Sequence, residues 1–186
     1  MKLRIISGTF RGRFIQLSKK DSDIRPTLER TRQSVAEIIK NRIGDAVVAD
    51  LCAGSGAFGF EMLSRGASRV DFVEKDRFRV EAIRNNARVF GIEDRCRVIN
   101  KDMGTFVKTA GEMYDIVFYD PPYEDEQLTK LISTFDCFLN SSGLLIYEHR
   151  KSADINYGVK MHLVDSRNFG DTVVDFLQLI HNESEG

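Results

Sequence analysis

Apolar residues fall along this chain in two alternating rhythms. Short runs rich in Val, Ile, Leu and Phe occupy Ala46 to Leu51, Val70 to Glu74, Arg97 to Asn100, Tyr114 to Asp120 and Leu144 to Glu148. Runs of this length, bounded by turn residues, predict strands covered on both faces. Between them the spacing changes to threes and fours. Val80, Ile83, Ala87 and Phe90 share one face of a helix that Gly91 stops, and a shorter helix closes near Gly66. Another short helix follows the third strand, and Leu128 to Leu139 predicts one more. Ahead of the first strand, Pro26 and Thr27 open a predicted helix over Thr27 to Ile43, with Leu28, Val35, Ile39 and Ile43 on one side.

Strands alternating with helices predict βαβ units, right-handed crossovers and a doubly wound parallel sheet. The end of the chain breaks the alternation. Val159 to Val164 and Val173 to Ile180 have no helix-length insert between them, which predicts a terminal hairpin added to the sheet. At 186 residues the expectation is a single domain over 1–186.

In a doubly wound fold, ligands bind outside the carboxyl ends of the strands. Asp50 lies at the end of the first strand, Glu74 ends the second, Asp102 follows the third and Asp120 ends the fourth, so one rim receives four carboxylates. The first turn, AGSGAFG over 53–59, has Gly54, Gly56 and Gly59 in GxGxxG spacing, and Glu74 lies where an acid would hold ribose hydroxyls. Those features by themselves admit a nicotinamide-dependent oxidoreductase. Extra carboxylates repel a pyrophosphate and attract a cation, which favours S-adenosylmethionine, with its sulfonium, ammonium and ribose diol. For Asp50 and Asp102 the alternative is turn formation or helix capping.

The fourth strand runs into Asp120, Pro121, Pro122 and Tyr123. Proline has no N–H for a sheet and pushes its predecessor out of helical geometry, so the strand stops in a stiff corner. Asp120 and the carbonyl of Pro121 can each accept a hydrogen bond from an exocyclic amino group, while Tyr123 offers a stacking face. Held in this way, an aromatic amine turns its lone pair toward an electrophilic methyl group. The base must first leave its stack or come from a loop.

Composition narrows the setting. No apolar stretch approaches the ~20 residues of a membrane span, and the N-terminus has no signal-peptide core, so a cytoplasmic protein is expected. Cys52, Cys96 and Cys137 are scattered and suggest neither disulfides nor a metal site. Residues 1–42 carry 11 Lys or Arg against 4 Asp or Glu, although the whole chain has a net charge of -1. A basic arm for nucleic acid and a solvated charged face both fit that asymmetry.

The motifs D50-L-C-A-G-S-G, E74, D102 and D120-P-P-Y resemble those of class I S-adenosylmethionine-dependent methyltransferases acting on amino groups. RIISGTFRGR over 4–13, RPTLERTR over 25–32, LCAGSGAFGFEMLSRGA over 51–67 and VEKD over 73–76 further resemble the bacterial 16S rRNA (guanine-N2)-methyltransferase family, small-subunit type D. The resemblance implies a Rossmann-like fold, with a seven-stranded, mostly parallel sheet, an antiparallel C-terminal hairpin and helices on both faces. It also implies methyl transfer to N2 of one guanine of 16S rRNA, within an assembled small ribosomal subunit, by a monomer without a metal. DPPY serves adenine-N6 methylation equally well, but the chain leaves no room for a separate DNA target-recognition domain.

Carried onto this sequence, the catalytic corner is Asp120, Pro121, Pro122 and Tyr123. The cofactor would be held by Asp50, Ala53, Gly54, Gly56, Glu74, Lys75, Asp102 and Met103. Arg4, Arg11, Arg13, Lys19, Lys20 and Arg25 are candidates for clamping rRNA phosphates. Arg32 shares a helix face with apolar residues, which suggests either an internal salt bridge or a reach to the cleft and its nucleotide. Phe169, in an expected loop over 167–170, is a further RNA candidate; an ordinary polar turn also explains that loop.

Overall fold

The computed structural model describes residues 3–19, 26–109, 111–122 and 124–180. Its central sheet has the strands β3 (Val47–Leu51), β4 (Arg69–Glu74), β5 (Cys96–Asn100), β6 (Tyr114–Tyr119), β7 (Leu139–Arg150), β8 (Met161–Phe169) and β9 (Thr172–Leu179). They lie in the order β5-β4-β3-β6-β7-β9-β8. The first five are parallel, and β9 and β8 complete the sheet antiparallel. The doubly wound sheet and terminal hairpin expected from the sequence are therefore present.

Alternate residues of each central strand enter two separate cores. Val48, Val70, Phe72, Ile116, Phe118 and Ile146 join α1 (Pro26–Ile38), α2 (Ala57–Ser64) and α3 (Arg77–Phe90) on one face. Ala49, Leu51, Val73, Val117, Tyr119 and Tyr147 join α4 (Met103–Thr109) and the segment after β6 on the other. Period-two alternation with both sides apolar makes the strands read as continuous hydrophobic runs.

Close packing shapes the first crossover. Gly56 begins α2 at φ 73°, a left-handed conformation that glycine adopts without penalty. One turn on, a Cβ at Gly59 would stand 2.3 Å from the Phe72 ring, so only a hydrogen lets α2 lie against β4.

Several boundaries differ from the sequence expectation. The helix expected over 27–43 ends at Ile38 and continues as a 3-10 turn, Lys40–Arg42. The helix expected over 128–139 splits into α5 (Glu126–Leu131) and a 3-10 stretch, Ile132–Phe138. Ile132, Phe135 and Phe138 recur every third residue and are all buried, a spacing that three residues per turn aligns better than 3.6. The expected loop over 167–170 is mostly strand: Phe169 pairs with Thr172, leaving a two-residue turn at Gly170 and Asp171.

A small N-terminal hairpin, β1 (Leu3–Arg4) with β2 (Phe14–Ile15), has no counterpart in the sequence expectation. Glu61 of α2, fully buried, holds it: Oε2 accepts the Ile6 N–H at 2.9 Å and Oε1 accepts that of Ser7 at 3.1 Å. Among the described residues, no helix is long and apolar enough to cross a membrane, and no cluster of three His, Cys, Asp or Glu could hold a metal ion.

Candidate active site

The carboxyl ends of β3, β4, β6 and β7 open into a cleft of about 1140 Å³. Strand register fixes how its acids are arrayed. Leu51 pairs with Val73 and with Tyr119, and Tyr119 pairs with Tyr147. The next residues, Glu74, Asp120 and Glu148, therefore come level on the face that carries Phe72, Phe118 and Ile146. Asp50, paired with both Phe72 and Phe118, lies on the same face one pleat deeper. All four line the cleft.

The three glycines of the turn spend their amides inside the protein. Gly54 N–H donates to Glu74 Oε2 at 2.9 Å, Gly56 N–H to the Ala53 carbonyl at 2.7 Å, and Gly59 N–H to Asp50 Oδ2 at 3.0 Å. A pyrophosphate cradle needs such donors aimed at the ligand. Here carboxylates accept two of the three, which takes those two amides away from any ligand.

Burial pushes the Asp50 carboxyl up to about 8; the Gly59 amide and the Arg32 charge oppose that rise, and Glu74 adds to it. Asp120 is raised well above the ordinary carboxylate range, chiefly by burial and then by the charges of Glu148 and Asp50. Such concentrated negative charge is costly without a cation nearby. Arg32 supplies one: 8 % exposed, it lines the cleft from α1 and donates from Nη2 to the Arg4 carbonyl at 3.3 Å.

The corner after β6 is braced from behind. Tyr119 is buried, donates its hydroxyl to the Leu128 carbonyl at 2.8 Å and stacks on Tyr147 with ring centroids 5.6 Å apart. Asp125 caps α5 by accepting from the amides of Gln127 and Leu128, and its own N–H donates to the Pro122 carbonyl at 3.1 Å. Asp120, Pro121 and Pro122 line the cleft; Tyr123 lies outside the described residues.

Ala53, Gly54, Glu74, Lys75, Asp102 and Met103 also line the cleft. Asp102 does so while capping α4: its two oxygens accept from the Thr105 amide at 2.9 Å and hydroxyl at 2.7 Å, and these bonds hold its carboxyl below the usual range. Gly56 is not brought to the cleft. A Cβ there would meet Ile83, Phe60 and Phe72 at 3.1–3.2 Å, so its side faces the core.

The basic N-terminal residues separate. Arg13 donates from Nη2 to the Val89 carbonyl near the end of α3 at 2.7 Å and lies 4.4 Å from the Phe90 ring centroid. The Thr9 N–H meets the Ser64 carbonyl at the end of α2. Both helices end at the amino edge of the sheet, so the hairpin tip with Arg11 and Arg13 sits opposite the cleft. Arg25 and Lys20 lie outside the described residues. Phe169 packs on the α1 to α3 face and does not line the cleft, whereas its neighbours Asp171 and Thr172 do.

Five rim residues escaped the sequence. Glu148 ends the predicted fifth strand yet carries no motif. Arg150 and Lys151 follow it on the rim, and Arg79 and Lys101 enter from α3 and the loop after β5. Reading the fifth strand as another parallel neighbour with its own carboxyl end at the rim would have found the first three.

Comparisons with known proteins agree with this geometry. Residues 3–178 match the family described as conserved hypothetical protein 95. The ribosomal RNA small subunit methyltransferase D of Escherichia coli strain K12 is 35 % identical over 136 residues, covering 73 % of this chain and 67 % of the relative. A solved structure described as "Putative methyltransferase yhhF from Escherichia coli" superposes with a TM-score of 0.85 at 28 % identity, covering 96 % of this chain and 98 % of that one. SMU.776, described as "a putative methyltransferase complexed with SAH", shares the fold at a TM-score of 0.71 and 16 % identity, over 84 % of this chain and 50 % of that one. The chain belongs to the conserved hypothetical protein 95 family and to the family of the ribosomal RNA small subunit methyltransferase D proteins.

Proposed function

We propose that this protein methylates N2 of one guanine in 16S rRNA of the small ribosomal subunit, with S-adenosylmethionine as donor. The observation that carries the reaction type is the braced Asp120-Pro121-Pro122 corner, level with Glu74 on one face of the sheet and two strands from it. The rRNA substrate rests on the E. coli relative's name and on the motif resemblance.

The lining fits this cofactor. Gly54 and Gly59 direct their amides to carboxylates rather than to a ligand phosphate, while Asp50 and Glu74 suit a cation and a ribose diol. When bound, S-adenosylmethionine supplies an electrophilic methyl group on a sulfonium. Glu74, Gly54 and Lys75 would hold the ribose end, Met103 would pack on the adenine, and Asp50 would face the cationic end.

The chain's own contribution is positioning and charge. With the Pro122 carbonyl taken by Asp125, the acceptors for the target amine are Asp120 and the Pro121 carbonyl. Binding both N–H bonds aligns the nitrogen lone pair with the methyl group. Asp120, whose proton affinity burial has raised, is suited to receive the proton that the methylated nitrogen sheds. Residues 1–186 act as one unit, since the basic segment 1–42 sends both Leu3 and Arg32 to the cleft. Lys101, Arg150 and Lys151, which line the cleft, serve as phosphate contacts in place of Arg11 and Arg13 at the opposite edge.

Labelled-methyl transfer to small subunits lacking the modification, followed by nucleoside analysis, tests the proposal. N2-methylguanosine is expected. N6-methyladenosine would replace it with the adenine reading, and no transfer to RNA would remove the substrate assignment.

A further inference from the structure

His149 takes no part in the methyl-transfer chemistry, yet it sits directly beneath the rim. It is the last buried residue of β7, 7 % exposed, on the opposite face of that strand from Glu148. Its ring stacks on Tyr147 with centroids 5.0 Å apart, and Nε2 meets Asp175 Oδ2 on β9 at 2.9 Å. Asp175 also accepts from the hydroxyls of Tyr157 and Ser166, the latter at 2.6 Å. One side of the imidazole is thereby fixed.

The other side reaches the rim. Nδ1 lies 2.8 Å from the Arg150 carbonyl, and because a carbonyl oxygen only accepts, Nδ1 carries a proton. The same carbonyl accepts the Ala153 N–H at 3.0 Å, and the Lys151 N–H donates at 3.0 Å to the Asp171 carbonyl in the turn between β8 and β9. These three bonds hold the exposed turn 150–153, in which Arg150, Lys151 and Ser152 line the cleft. Long cationic side chains on an exposed turn lose much conformational freedom when they grip a phosphate, which weakens binding. Fixing the backbone beforehand lessens that loss.

We infer that His149 is a positioning residue for RNA: its Nδ1–H fixes the peptide between Arg150 and Lys151 and so presents these cations to phosphates beside the target nucleotide. The inference rests on the reading of Arg150 and Lys151 as phosphate contacts, given above. It extends the RNA-binding apparatus into the buried pairing of β7 with β9, where no motif residue lies.

Two substitutions separate the two bonds of the ring. Counted in bonds from the backbone, His149→Asn places an amide nitrogen where Nδ1 stands, and His149→Gln places one where Nε2 stands. Affinity for small subunits lacking the modification is measured from about 50 to 200 mM salt, with S-adenosylmethionine affinity as the control. His149→Gln is expected to bind the subunits about tenfold more weakly, with a salt dependence reduced by about one phosphate contact, while S-adenosylmethionine affinity persists. His149→Asn keeps the donor to the turn and should restore most of that affinity. Lys151→Ala should show the same loss as His149→Gln, and combining them should add little, because both remove one contact.

Unchanged RNA affinity in His149→Gln would overturn the inference, and so would His149→Asn binding as weakly as His149→Gln, since the ring would then act through Asp175 alone. Should His149→Gln fail to fold, the nitrogen-15 spectrum of the wild-type ring decides: a protonated Nδ1 upholds the inference and a bare one overturns it. Failure of the phosphate reading is seen separately. Lys151→Ala then leaves affinity and salt dependence as in wild type, and both fall together; loss in Lys151→Ala without loss in His149→Gln removes the role of His149 alone.

Discussion

Gly54 donates its backbone N–H to the Glu74 carboxylate at 2.9 Å, tying the turn after β3 to the end of β4. The second oxygen of Glu74 accepts the Asp76 amide at 2.8 Å. A nucleotide-type turn has thus been closed by an acid, and its remaining lone pairs suit ligand hydroxyls. The protein is accordingly expected to bind S-adenosylmethionine, and not NAD, in calorimetric titrations. Glu74→Ala should weaken S-adenosylmethionine binding by about tenfold or more. Measurable NAD affinity or an unchanged dissociation constant would refute the cofactor assignment.

Asp120→Ala removes an acceptor from the target amine and the group that takes its proton. Turnover should fall by about 100-fold or more while cofactor affinity persists. Asp120→Asn retains one acceptor oxygen and should keep more activity than Asp120→Ala. Single-turnover methylation of small subunits separates the two, and normal turnover by Asp120→Ala removes this residue from the reaction.

Asp50 carries a pH signature. Its folded-state pKa of about 8 lies above the ordinary carboxylate value of 3.8, so the folded protein binds the extra proton between those limits. Stability of the ligand-free protein should therefore decline from about pH 4 toward pH 8. Asp50→Asn keeps an acceptor for the Gly59 N–H and should flatten much of that decline in urea titrations. A cationic ligand favours ionised Asp50, so S-adenosylmethionine affinity should rise from pH 6.5 to 8.5 in wild type and rise less in Asp50→Asn.

Glu61 joins the N-terminal hairpin to α2 through the amides of Ile6 and Ser7, and it also accepts from Arg65 Nε at 2.9 Å. Glu61→Ala should cost about 3 kcal/mol, because buried donors are left without an acceptor. Hydrogen exchange should quicken at Ile6 and Ser7 before it does in β3 or β6. Uniform exchange across all of these would mean that the hairpin is held by something else.

Burial would raise the Asp175 carboxyl, but hydrogen bonds from His149, Ser166 and Tyr157 outweigh it and hold Asp175 below its ordinary value. A depressed pKa contributes stability above the unfolded-state value, lost as pH falls through the folded one. Asp175→Asn should lower stability at pH 7 by about 1–3 kcal/mol and weaken the acid dependence, read from denaturant midpoints at pH 7 and pH 3.

The sequence by itself determined the strand and helix alternation, the acids at the strand ends and the proline corner. Each of these depends on residues close along the chain: period-two runs, a glycine turn, a proline without an N–H. Local chemistry could not reveal that Gly56 faces Phe60 and Phe72 while Gly54 faces the cleft, since that depends on how α2 lies on β4. Nor could it reveal that Arg13 is fastened to Val89, at the edge of the sheet away from the site. Two-residue strands carry no periodicity, so the N-terminal hairpin was invisible until Glu61 of a distant helix gave its amides a partner. Glu148 became a neighbour of Asp120 only through the register of β6 with β7. Which buried charges share a site is set by strand order and register, which long-range packing decides.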